Sequence, residues 1–454
     1  MTRTATVEGG SRAALAVAML GFFVVALDAQ IVNVTLPAIR TSLDASLSSL
    51  QWIVTAYTLM FAALQLFSGT VSDRVGARRA YAIGMVLFVA ASTVCGFAPT
   101  MPLLIAGRAA QGIGAAMITP TSLAIIREAF TDTVQRGRAI AYWAMGGSIA
   151  AAAGPVVGGA LAEIDWRLVF WVNIPVGAVA LMVLSRVHRS QRRPAPFDWF
   201  GQVSAVLALG GLTYAIIEGA EFGYGSLPVV SSLVLSVIAG AVFLRAQSRG
   251  AHPMVPLDLF RSRYVAGALS IAFVTMAAFY GVVFLQSLYF QQERGLAALE
   301  TGLLFLPMTA LVAILNPLVP RLAERVGRLV PIVGGQLLMV CGLVGLCILP
   351  PDANVLLVAT LMVPVGVGGS FTVPPLTSMV LDHIPAERAG TASGVLNTAR
   401  QMGGSLGVAI CGAFIAAQPT FRFGLQLGLG IIAALLVVLA GMAVHQRGRS
   451  PQAA

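Results

Sequence analysis

The sequence predicts an all-α polytopic membrane protein with fourteen transmembrane helices. Three observations predict it: the composition, the length of the apolar segments and the placement of the arginines. Of the 454 residues, 57% are hydrophobic and only 10% are charged, whereas a soluble domain carries about 25% charged residues. A soluble core cannot enclose so much apolar surface, so the expected solvent is a lipid bilayer.

Fourteen segments are apolar enough, and long enough, to cross a bilayer, for which a helix needs about 20 residues. The first of them is too long for a cleaved signal peptide, and no processing site follows it. The predicted spans are 13–36, 50–71, 80–98, 101–126, 138–161, 167–185, 199–217, 228–245, 265–290, 299–320, 329–349, 353–377, 391–417 and 423–444.

The arginines predict the topology. All 28 basic residues are arginine, and the net charge is +10. With the N-terminus inside, the outer loops hold only Arg40, Arg167, Arg294 and Arg422, two arginines lie within spans, and all others lie on the inner side. The positive-inside rule therefore predicts a multi-pass protein of the cell membrane with both termini in the cytoplasm.

Several functional classes are disfavoured. The positive charge lies in short gaps between apolar runs, so it does not indicate a nucleic-acid partner. The four cysteines lie in apolar runs without a CxxC pair, which argues against a disulfide framework and a metal site. There is no GxxxxGK[ST] phosphate-binding motif and no catalytic constellation, so we expect neither an ATP-driven protein nor an enzyme, and no cofactor.

An internal repeat predicts the architecture. The gaps after the second and the tenth spans share an acid, an arginine and a glycine at the same spacing, 251 residues apart, and both are cytoplasmic in the predicted topology. The two copies are Asp73-Arg74-Val-Gly76 and Glu324-Arg325-Val-Gly327. Parallel repeats of six helices are a known plan of transporters.

The repeat divides the chain into three predicted parts. Residues 1–185 form an N-terminal six-helix bundle. Residues 186–264 form a linker that contains two additional transmembrane helices. Residues 265–454 form a C-terminal six-helix bundle and a short cytoplasmic tail.

Four motifs occur in the first bundle. They read LDAQIVNVTLP at 27–37, GTVSDRVGARR at 69–79, RAAQGIG at 108–114 and GGSIAAAAGPVVGG at 146–159. Together they resemble motifs of the major facilitator superfamily, specifically of its fourteen-helix branch of drug:proton antiporters. The chain departs from that pattern at Gln30, where a small hydroxyl residue is usual, at Ala77, where a basic residue is usual, and at Ala150, where a glycine is usual.

The second motif predicts a conformational latch. Gly76 supplies backbone freedom, and Asp73 can pair with nearby arginines or with a helix N-terminus. The resemblance implies that this loop stabilises the outward-facing state, whereas the alternative is a positive-inside anchor. The predicted latch consists of Gly69, Asp73, Arg74, Gly76 and Arg78, with Glu324 and Arg325 in the second copy.

The fourth motif places small residues at every fourth position of the fifth span, so that another helix can approach closely. Pro155 removes a backbone hydrogen bond and should kink this helix. The resemblance associates Gly154, Pro155, Gly158 and Gly159 with exporters. The alternative is tight packing that requires no motion.

Two charged residues lie deep in the first bundle. At about 1.5 Å per residue, Asp28 and Arg108 lie at nearly the same depth in the first and fourth spans. Ionisable groups within spans are costly and usually functional. The resemblance implies that both spans line the cavity, where these two side chains could meet. All four histidines lie in predicted cytoplasmic segments, so we predict that Asp28 carries a proton and that Arg108 is its partner. The alternative is a static structural pair.

The same reasoning predicts residues that line a substrate cavity. Gln111 and Thr119 share a helical face with Arg108. Four residues of the ninth span share another face, whose aromatic and thioether groups suit hydrophobic ligands, unless that face packs or contacts lipid. Arg400, alone in its span, binds an anionic group, interacts with Asp73 or extends to the membrane surface. The predicted cavity residues are Asn33, Gln111, Thr119, Phe273, Met276, Tyr280, Phe284 and Arg400.

These observations predict a monomeric, proton-coupled antiporter that exports small hydrophobic compounds, such as drugs or antibiotics, by alternating access. Its partners are the substrate, protons and the lipid bilayer. The alternatives are a dedicated exporter of one endogenous metabolite, a nutrient symporter and a membrane receptor that does not transport. The helix motif at 146–159 disfavours the symporter, and the short gaps between spans disfavour the receptor.

Overall fold

The computed structural model describes residues 2–192, 196–250, 253–350, 352–382, 384 and 388–447. These residues form helices and no strand. Parts of the predicted linker and of the predicted cytoplasmic tail therefore lie outside the described residues. The chain divides into two compact units, one of Met1–Gln202 with Ala297–Gly302 and one of Val203–Leu296 with Leu303–Ala454.

The first unit is built around α5. Helices α3 and α4 pack along α5, and α1 packs along α6. Its helices are α1 (Thr2–Ile31), α2 (Leu36–Leu43), α3 (Leu47–Val75), α4 (Ala77–Gly96), α5 (Met101–Ala129), α6 (Thr133–Ala162), α7 (Leu168–Trp171) and α8 (Asn173–Leu184).

The glycines of the motif at 108–114 allow this packing. A Cβ at Gly112 would collide with the backbone oxygen of Tyr57 on α3, and one at Gly114 would lie 2.8 Å from the backbone oxygen of Gly84 on α4. Because a side chain at either position would separate the helices, these glycines let α5 lie against both of its neighbours.

The first and the sixth predicted spans are interrupted. The first consists of α1, a 3₁₀ turn at Asn33–Thr35 and α2, with a proline in the first turn of α2. The sixth consists of α7 and α8, which meet at Val172. A break frees backbone groups in apolar surroundings, so such breaks are tolerated where protein surrounds them.

The second unit pairs α11 with α16, and α14 with both α15 and α17. Its helices are α9 (Trp199–Phe222) and α12 (Ala298–Leu315), which both begin in the first unit, and α10 (Leu227–Arg249), α11 (Arg263–Leu288), α13 (Val319–Val326), α14 (Leu329–Ile348), α15 (Val355–Asp382), α16 (Ala389–Ala417) and α17 (Phe421–Arg447).

Among the described residues, 12 helices are long and apolar enough to cross a membrane. The predicted span 167–185 falls on the shorter apolar helices within Leu168–Leu184. The predicted span 391–417 falls on α16, which carries Asn397, Arg400 and Gln401 and is not among the twelve. The total of fourteen spans therefore stays a prediction.

The two copies of the loop motif have the same backbone conformation. Gly76 ends α3 with φ 89° and ψ 140°, and Gly327 ends α13 with φ 82° and ψ 149°. Positive φ favours glycine, so a glycine at this spacing is required in both copies. The surroundings differ: a Cβ at Gly76 would lie 3.2 Å from Ser190, while one at Gly327 would meet nothing within 4 Å.

A second repeat, which the sequence analysis missed, lies in α6 and α16. Both helices contain Met-Gly-Gly-Ser, at 145–148 and at 402–405. In each, the second glycine faces an aromatic ring of a partner helix, Phe22 of α1 at Gly147 and Tyr280 of α11 at Gly404. The pairs α1–α6 and α11–α16 are therefore corresponding elements of the two units.

Candidate functional site

The structure brings Asp28 and Arg108 together as an ion pair in the interior of the first unit. Their side chains are 0% and 1% exposed. Arg108 donates from Nη1 to the Asp28 Oδ2 atom and from Nε to the backbone oxygen of Ile53 at 2.9 Å. Its guanidinium also lies 4.3 Å from the centre of the Tyr57 ring. Both the carboxylate and the plane of the guanidinium thus have partners within one unit.

Two amide side chains complete the surroundings of the carboxylate. The Asp28 Oδ1 atom accepts from Gln111 Nε2 at 3.0 Å and from Asn173 Nδ2 at 2.8 Å. Both amides are fully buried. Hydrogen bonds to a charged group are about twice as strong as those between neutral groups, so the two amides hold the carboxylate firmly in place.

A second set of polar groups supports the amides. Ser92 Oγ accepts from Gln111 Nε2 at 2.7 Å and from Asn173 Nδ2 at 3.3 Å. Gln111 Oε1 accepts from Arg108 Nη1 at 2.9 Å and from the thiol of Cys95 at 3.4 Å. The pair therefore lies in a network that connects α1, α4, α5 and α8.

Sequence analysis missed Asn173 and Ser92. Asn173 is the single amide in the otherwise apolar segment 168–184, so a polar residue within a predicted span was the signal that could have identified it. Ser92 gave a weaker signal, because a serine in a span often bonds to its own helix, as Ser92 also does with Phe88 O at 2.8 Å.

Two predicted cavity residues of the first unit bond to their own helices instead. Asn33 Nδ2 donates to the backbone oxygen of Ala29 at 3.1 Å, and Thr119 Oγ1 donates to that of Ala115 at 3.2 Å. Both side chains are buried. Gln111 is the predicted polar cavity residue of this unit that contacts Asp28.

The predicted aromatic face of α11 lies against α16. Phe284 is fully buried, while Phe273, Met276 and Tyr280 are half-buried. The backbone oxygen of Phe273 faces the Cβ position of Gly403, and the Tyr280 ring lies 2.8 Å from that of Gly404. Part of this face therefore packs within the unit.

Arg400 of α16 is a half-buried cation that pairs with no carboxylate among the described residues. Its Nε atom is buried and has no hydrogen-bond partner among the described residues, and no ion pair there includes Arg400. Tyr280 is its titratable neighbour. An unpaired buried charge is costly, so an anionic or electron-rich group would be stabilised beside it.

The glycines of the exporter-type motif bring α6 against two partners. A Cβ at Gly154 would lie 2.6 Å from Gln30 Cβ, and one at Gly158 would collide with the backbone oxygen of Ile31. Gly159 lies in the same way against the backbone of Ala298, at the start of α12. Pro155 lies inside α6, which continues to Ala162, and its backbone oxygen faces the Cβ position of Gly302.

The first copy of the predicted latch contacts the end of the first unit. Arg78 donates from its backbone N to Ser190 Oγ at 3.0 Å and from Nη2 to the backbone oxygen of Ser185 at 3.2 Å. The guanidinium of Arg74 lies 4.9 Å from the centre of the Phe197 ring. Asp73 is exposed, and no ion pair to it occurs among the described residues.

In the second copy, Glu324 and Arg325 are exposed. Arg328, one residue beyond Gly327, forms an ion pair with Asp382 of α15. A Cβ at Gly69, in the first copy, would meet nothing within 4 Å, so packing does not explain a glycine there.

A helical fold of this kind, with a paired charge inside it, is typical of membrane transporters of the solute-carrier type. The family model of the Major Facilitator Superfamily matches residues 18–408. The chain therefore belongs to the major facilitator superfamily, as its motifs predicted.

Curated relatives are named for drug and antibiotic resistance. The chain is 38% identical over 401 residues to multidrug resistance protein Stp of Mycobacterium tuberculosis, covering 88% of this chain and 74% of the relative. It is 33% identical to the methylenomycin A resistance protein of Bacillus subtilis, covering 95% and 94%. It is 32% identical to the tetracenomycin C resistance and export protein of Streptomyces glaucescens, covering 89% and 76%.

Solved structures of transporters share the fold. A variant of the peptide transporter POT matches with a TM-score of 0.69 at 16% identity, covering 96% of this chain and 94% of that one. A variant of the nucleoside transporter NupG matches with a TM-score of 0.67 at 12% identity, covering 95% and 99%. Likeness at this level of identity shows the fold.

Proposed function

We propose that the chain is a proton-coupled efflux transporter of small hydrophobic compounds, such as drugs or antibiotics, that works by alternating access. The names of its relatives support export of such compounds. The observation that carries proton coupling is the buried pair of Asp28 and Arg108. A carboxylate inside a membrane protein is costly, and such groups mark proton relays and substrate paths.

Asp28 is the best candidate for the coupling group. Among the described residues it is the one acidic side chain that is fully buried. A buried ion pair costs desolvation energy that its attraction only partly offsets, so the pair is poor as a purely stabilising device. It suits a group that exchanges its counter-ion for a proton during the transport cycle.

The membrane arrangement is part of the proposal. We place fourteen spans in the cell membrane with both termini in the cytoplasm, and a six-helix bundle on either side of the linker 186–264. The distribution of the arginines supports this orientation. We propose a monomer as the functional unit.

We further propose that the loop from Gly69 to Arg78 acts as a latch of one access state. The contacts of Arg78 with Ser185 and Ser190 support this, since they bind the loop to a segment that follows the last helix of the first bundle. Exposed Asp73, together with Glu324 and Arg325 of the second copy, is available to a partner in the other state.

For the substrate, we propose a site that includes Arg400 and the half-buried residues Phe273, Met276 and Tyr280. The unpaired Nε atom of Arg400 supports this, because a ligand with an acidic or electron-rich group would satisfy it. The aromatic and thioether side chains suit the hydrophobic part of such a ligand.

A dedicated exporter of one metabolite is the second candidate, and the two relatives named for single antibiotics favour it. Efflux of a panel of unrelated dyes and antibiotics, measured in a host without its own pumps, separates the two. Protection against many members of the panel indicates a multidrug transporter, and protection against one chemical class indicates the dedicated exporter.

Asp28→Asn tests proton coupling. This substitution keeps the size of the side chain and its capacity to accept hydrogen bonds but removes the carboxylate. In proteoliposomes with an imposed pH gradient we expect at least a tenfold loss of uphill transport, while counterflow without a gradient persists, because exchange needs no net proton movement.

The matched control is Asp165→Asn, which removes the acid of an exposed Asp–Arg pair in the same unit. We expect this variant to retain uphill transport. Full pH-driven transport by Asp28→Asn would refute Asp28 as the coupling group, and loss in both variants would indicate a general effect of removing an acid.

A further inference from the structure

Every recorded contact of the Asp28 carboxylate is with a donor. Arg108 donates to Oδ2, while Gln111 and Asn173 donate to Oδ1. This shell stabilises the ionised carboxylate but provides no acceptor for the hydrogen of the neutral acid. A buried O–H group without an acceptor is costly. A proton carrier at this position therefore needs an acceptor close by.

The oxygen atoms of the shell differ in their availability. Gln111 Oε1 accepts from Arg108 and from Cys95, and Ser92 Oγ accepts from both amides. Asn173 Oδ1 is buried and has no hydrogen-bond partner among the described residues. The one unused acceptor in the shell thus belongs to a side chain whose nitrogen already lies 2.8 Å from Asp28 Oδ1.

We propose that Asn173 is the positioning residue that accommodates a proton on Asp28, by turning over its amide. This inference rests on the proposed role of Asp28 as the proton carrier. When Asp28 is ionised, Asn173 Nδ2 donates to it. When a proton from water has added to Asp28 Oδ1, the amide has rotated by half a turn and Asn173 Oδ1 accepts the new O–H group.

The turn breaks the bond from Asn173 Nδ2 to Ser92 Oγ at 3.3 Å and otherwise requires little movement. The terminal torsion of asparagine has a broad, roughly two-fold energy profile, so the two orientations are similar in intrinsic energy. Gln111 Nε2 gives up Asp28 Oδ1 but keeps Ser92 Oγ at 2.7 Å. Arg108 keeps the backbone oxygen of Ile53 and Gln111 Oε1. Asn173 lies at the break between α7 and α8, and this position places its side chain beside α1.

Few other groups compete for the proton. The charged and titratable groups that face Asp28 are Arg108 on α5, the thiol of Cys95 on α4 and the hydroxyl of Tyr57 on α3, which donates to Val25 O at 3.1 Å. Along α6, the motif glycines Gly154 and Gly158 pack against α1. From α8, the contact with Asp28 is the amide of Asn173.

Infrared difference spectroscopy of the purified transporter in lipid tests the proposal. Lowering the pH should produce a carboxylic-acid C=O band that Asp28→Asn removes, which assigns the band to Asp28. In Asn173→Leu, which has the same branched skeleton of heavy atoms but no acceptor, we expect this band to move to the higher frequency of an acid without a hydrogen-bond partner. We also expect pH-driven uphill transport to fall about tenfold.

Gln111→Leu is the matched control, because it removes the other amide donor to the same oxygen but no unused acceptor. We expect its acid band to keep the frequency of a hydrogen-bonded acid. Asn173→Val is the second removal variant if the leucine variant does not fold. Asn173→Gln, which restores an amide, should recover part of the band shift and part of the transport.

The outcomes separate this inference from the proposed function. A wild-type acid band that Asp28→Asn removes, but that Asn173→Leu and Asn173→Val leave unshifted, overturns the role of Asn173 and leaves Asp28 as the carrier. The absence of any such band in the wild type overturns both proposals. A band shift as large in Gln111→Leu as in Asn173→Leu also overturns the role of Asn173.

Discussion

The two units treat the same kind of residue in opposite ways. Each has an arginine in a predicted span, Arg108 in the first and Arg400 in the second. Arg108 has a carboxylate, an amide oxygen and a backbone oxygen as partners. Arg400 has a buried Nε atom without a partner, and no carboxylate pairs with it among the described residues.

From this difference we infer different roles for the two arginines. A charge that is fully satisfied inside its own unit can be disturbed only by changing one of its partners, as the proposed protonation of Asp28 would do. An arginine that lacks a hydrogen-bond partner can instead bind an acidic or electron-rich group of a ligand. This difference fits the proposal that the first unit couples protons and that the second recognises a group of the substrate.

The largest expected effect comes from comparing Arg108→Ala with Arg400→Ala. Removing one member of a buried pair leaves the other uncompensated, at a cost of about 3–5 kcal/mol. Arg400→Ala leaves no carboxylate unpaired, so we expect the free energy of unfolding to change by less than about 1 kcal/mol. We also expect reduced transport of acidic substrates by this variant. Thermal unfolding of the purified variants in detergent, together with transport assays, checks both.

A double variant sharpens this comparison. Replacing Asp28 by Asn in addition to Arg108→Gln removes both charges, so neither charge is left buried without its partner. We expect the double variant to unfold at a higher temperature than Arg108→Ala but to lack pH-driven transport. Equal stability of Arg108→Ala and Arg400→Ala would remove the distinction between the two arginines.

An intermediate effect is expected in the two loop copies. Asp73→Asn should leave the protein folded but slow transport about threefold to tenfold, because a change of about 0.6–1.4 kcal/mol shifts the balance of two access states by that factor. Transport rates at equal expression measure this. Glu324→Gln, in the copy whose Gly327 contacts nothing within 4 Å, should have a smaller effect. Unchanged rates in both variants would reduce the motif to a membrane anchor.

The smallest effect concerns an exposed pair of the second unit, Asp258 with Arg388. The hydrogen bond from Arg388 lowers the pKa of Asp258 below its ordinary value of about 4. A group whose pKa is lowered by folding stabilises the folded state above its unfolded pKa, and this contribution disappears as the pH falls through its folded pKa.

Asp258→Asn should therefore lower Tm slightly at pH 7, with a difference from the wild type that vanishes as the pH falls below the lowered, folded-state pKa of Asp258. Because both side chains are about half exposed, added salt should also reduce the difference. Melting curves at two pH values and two salt concentrations measure it. A difference that grows on acidification would contradict the assigned sign.

Much of the fold could be predicted from the sequence, because the bilayer imposes a simple rule. A span needs about 20 apolar residues and forms its backbone hydrogen bonds internally. The apolar segments of the sequence therefore predicted helices at the places where the structure has them. The glycine at the same spacing in both loop copies predicted a shared turn, and Gly76 and Gly327 have closely similar dihedral angles. The breaks at Asn33 and Asn173 were not predicted, since each lies within a continuous apolar run.

The candidate site was only partly predictable. Asp28 and Arg108 could be paired from their similar depth together with the family resemblance, which implies that both of their spans line one cavity. Asn173 could not be added, since its segment lies 145 positions from Asp28 in sequence and only the packing of α8 against α1 brings the two together. The aromatic face of α11 was predicted as a face, but its packing against Gly403 and Gly404 is a property of the helix pair.

The sequence by itself determined the class of protein, the positions of the helices and the identity of the buried charges. These follow from composition and from the spacing of residues along one chain. Polar groups are costly in a membrane, so the spans are apolar and the few charged residues within them can be identified from the sequence. The tertiary structure alone decided which buried charge is satisfied and which is not. That outcome depends on which helices are neighbours, because a hydrogen bond requires two atoms within about 3 Å and helices distant in sequence provide them.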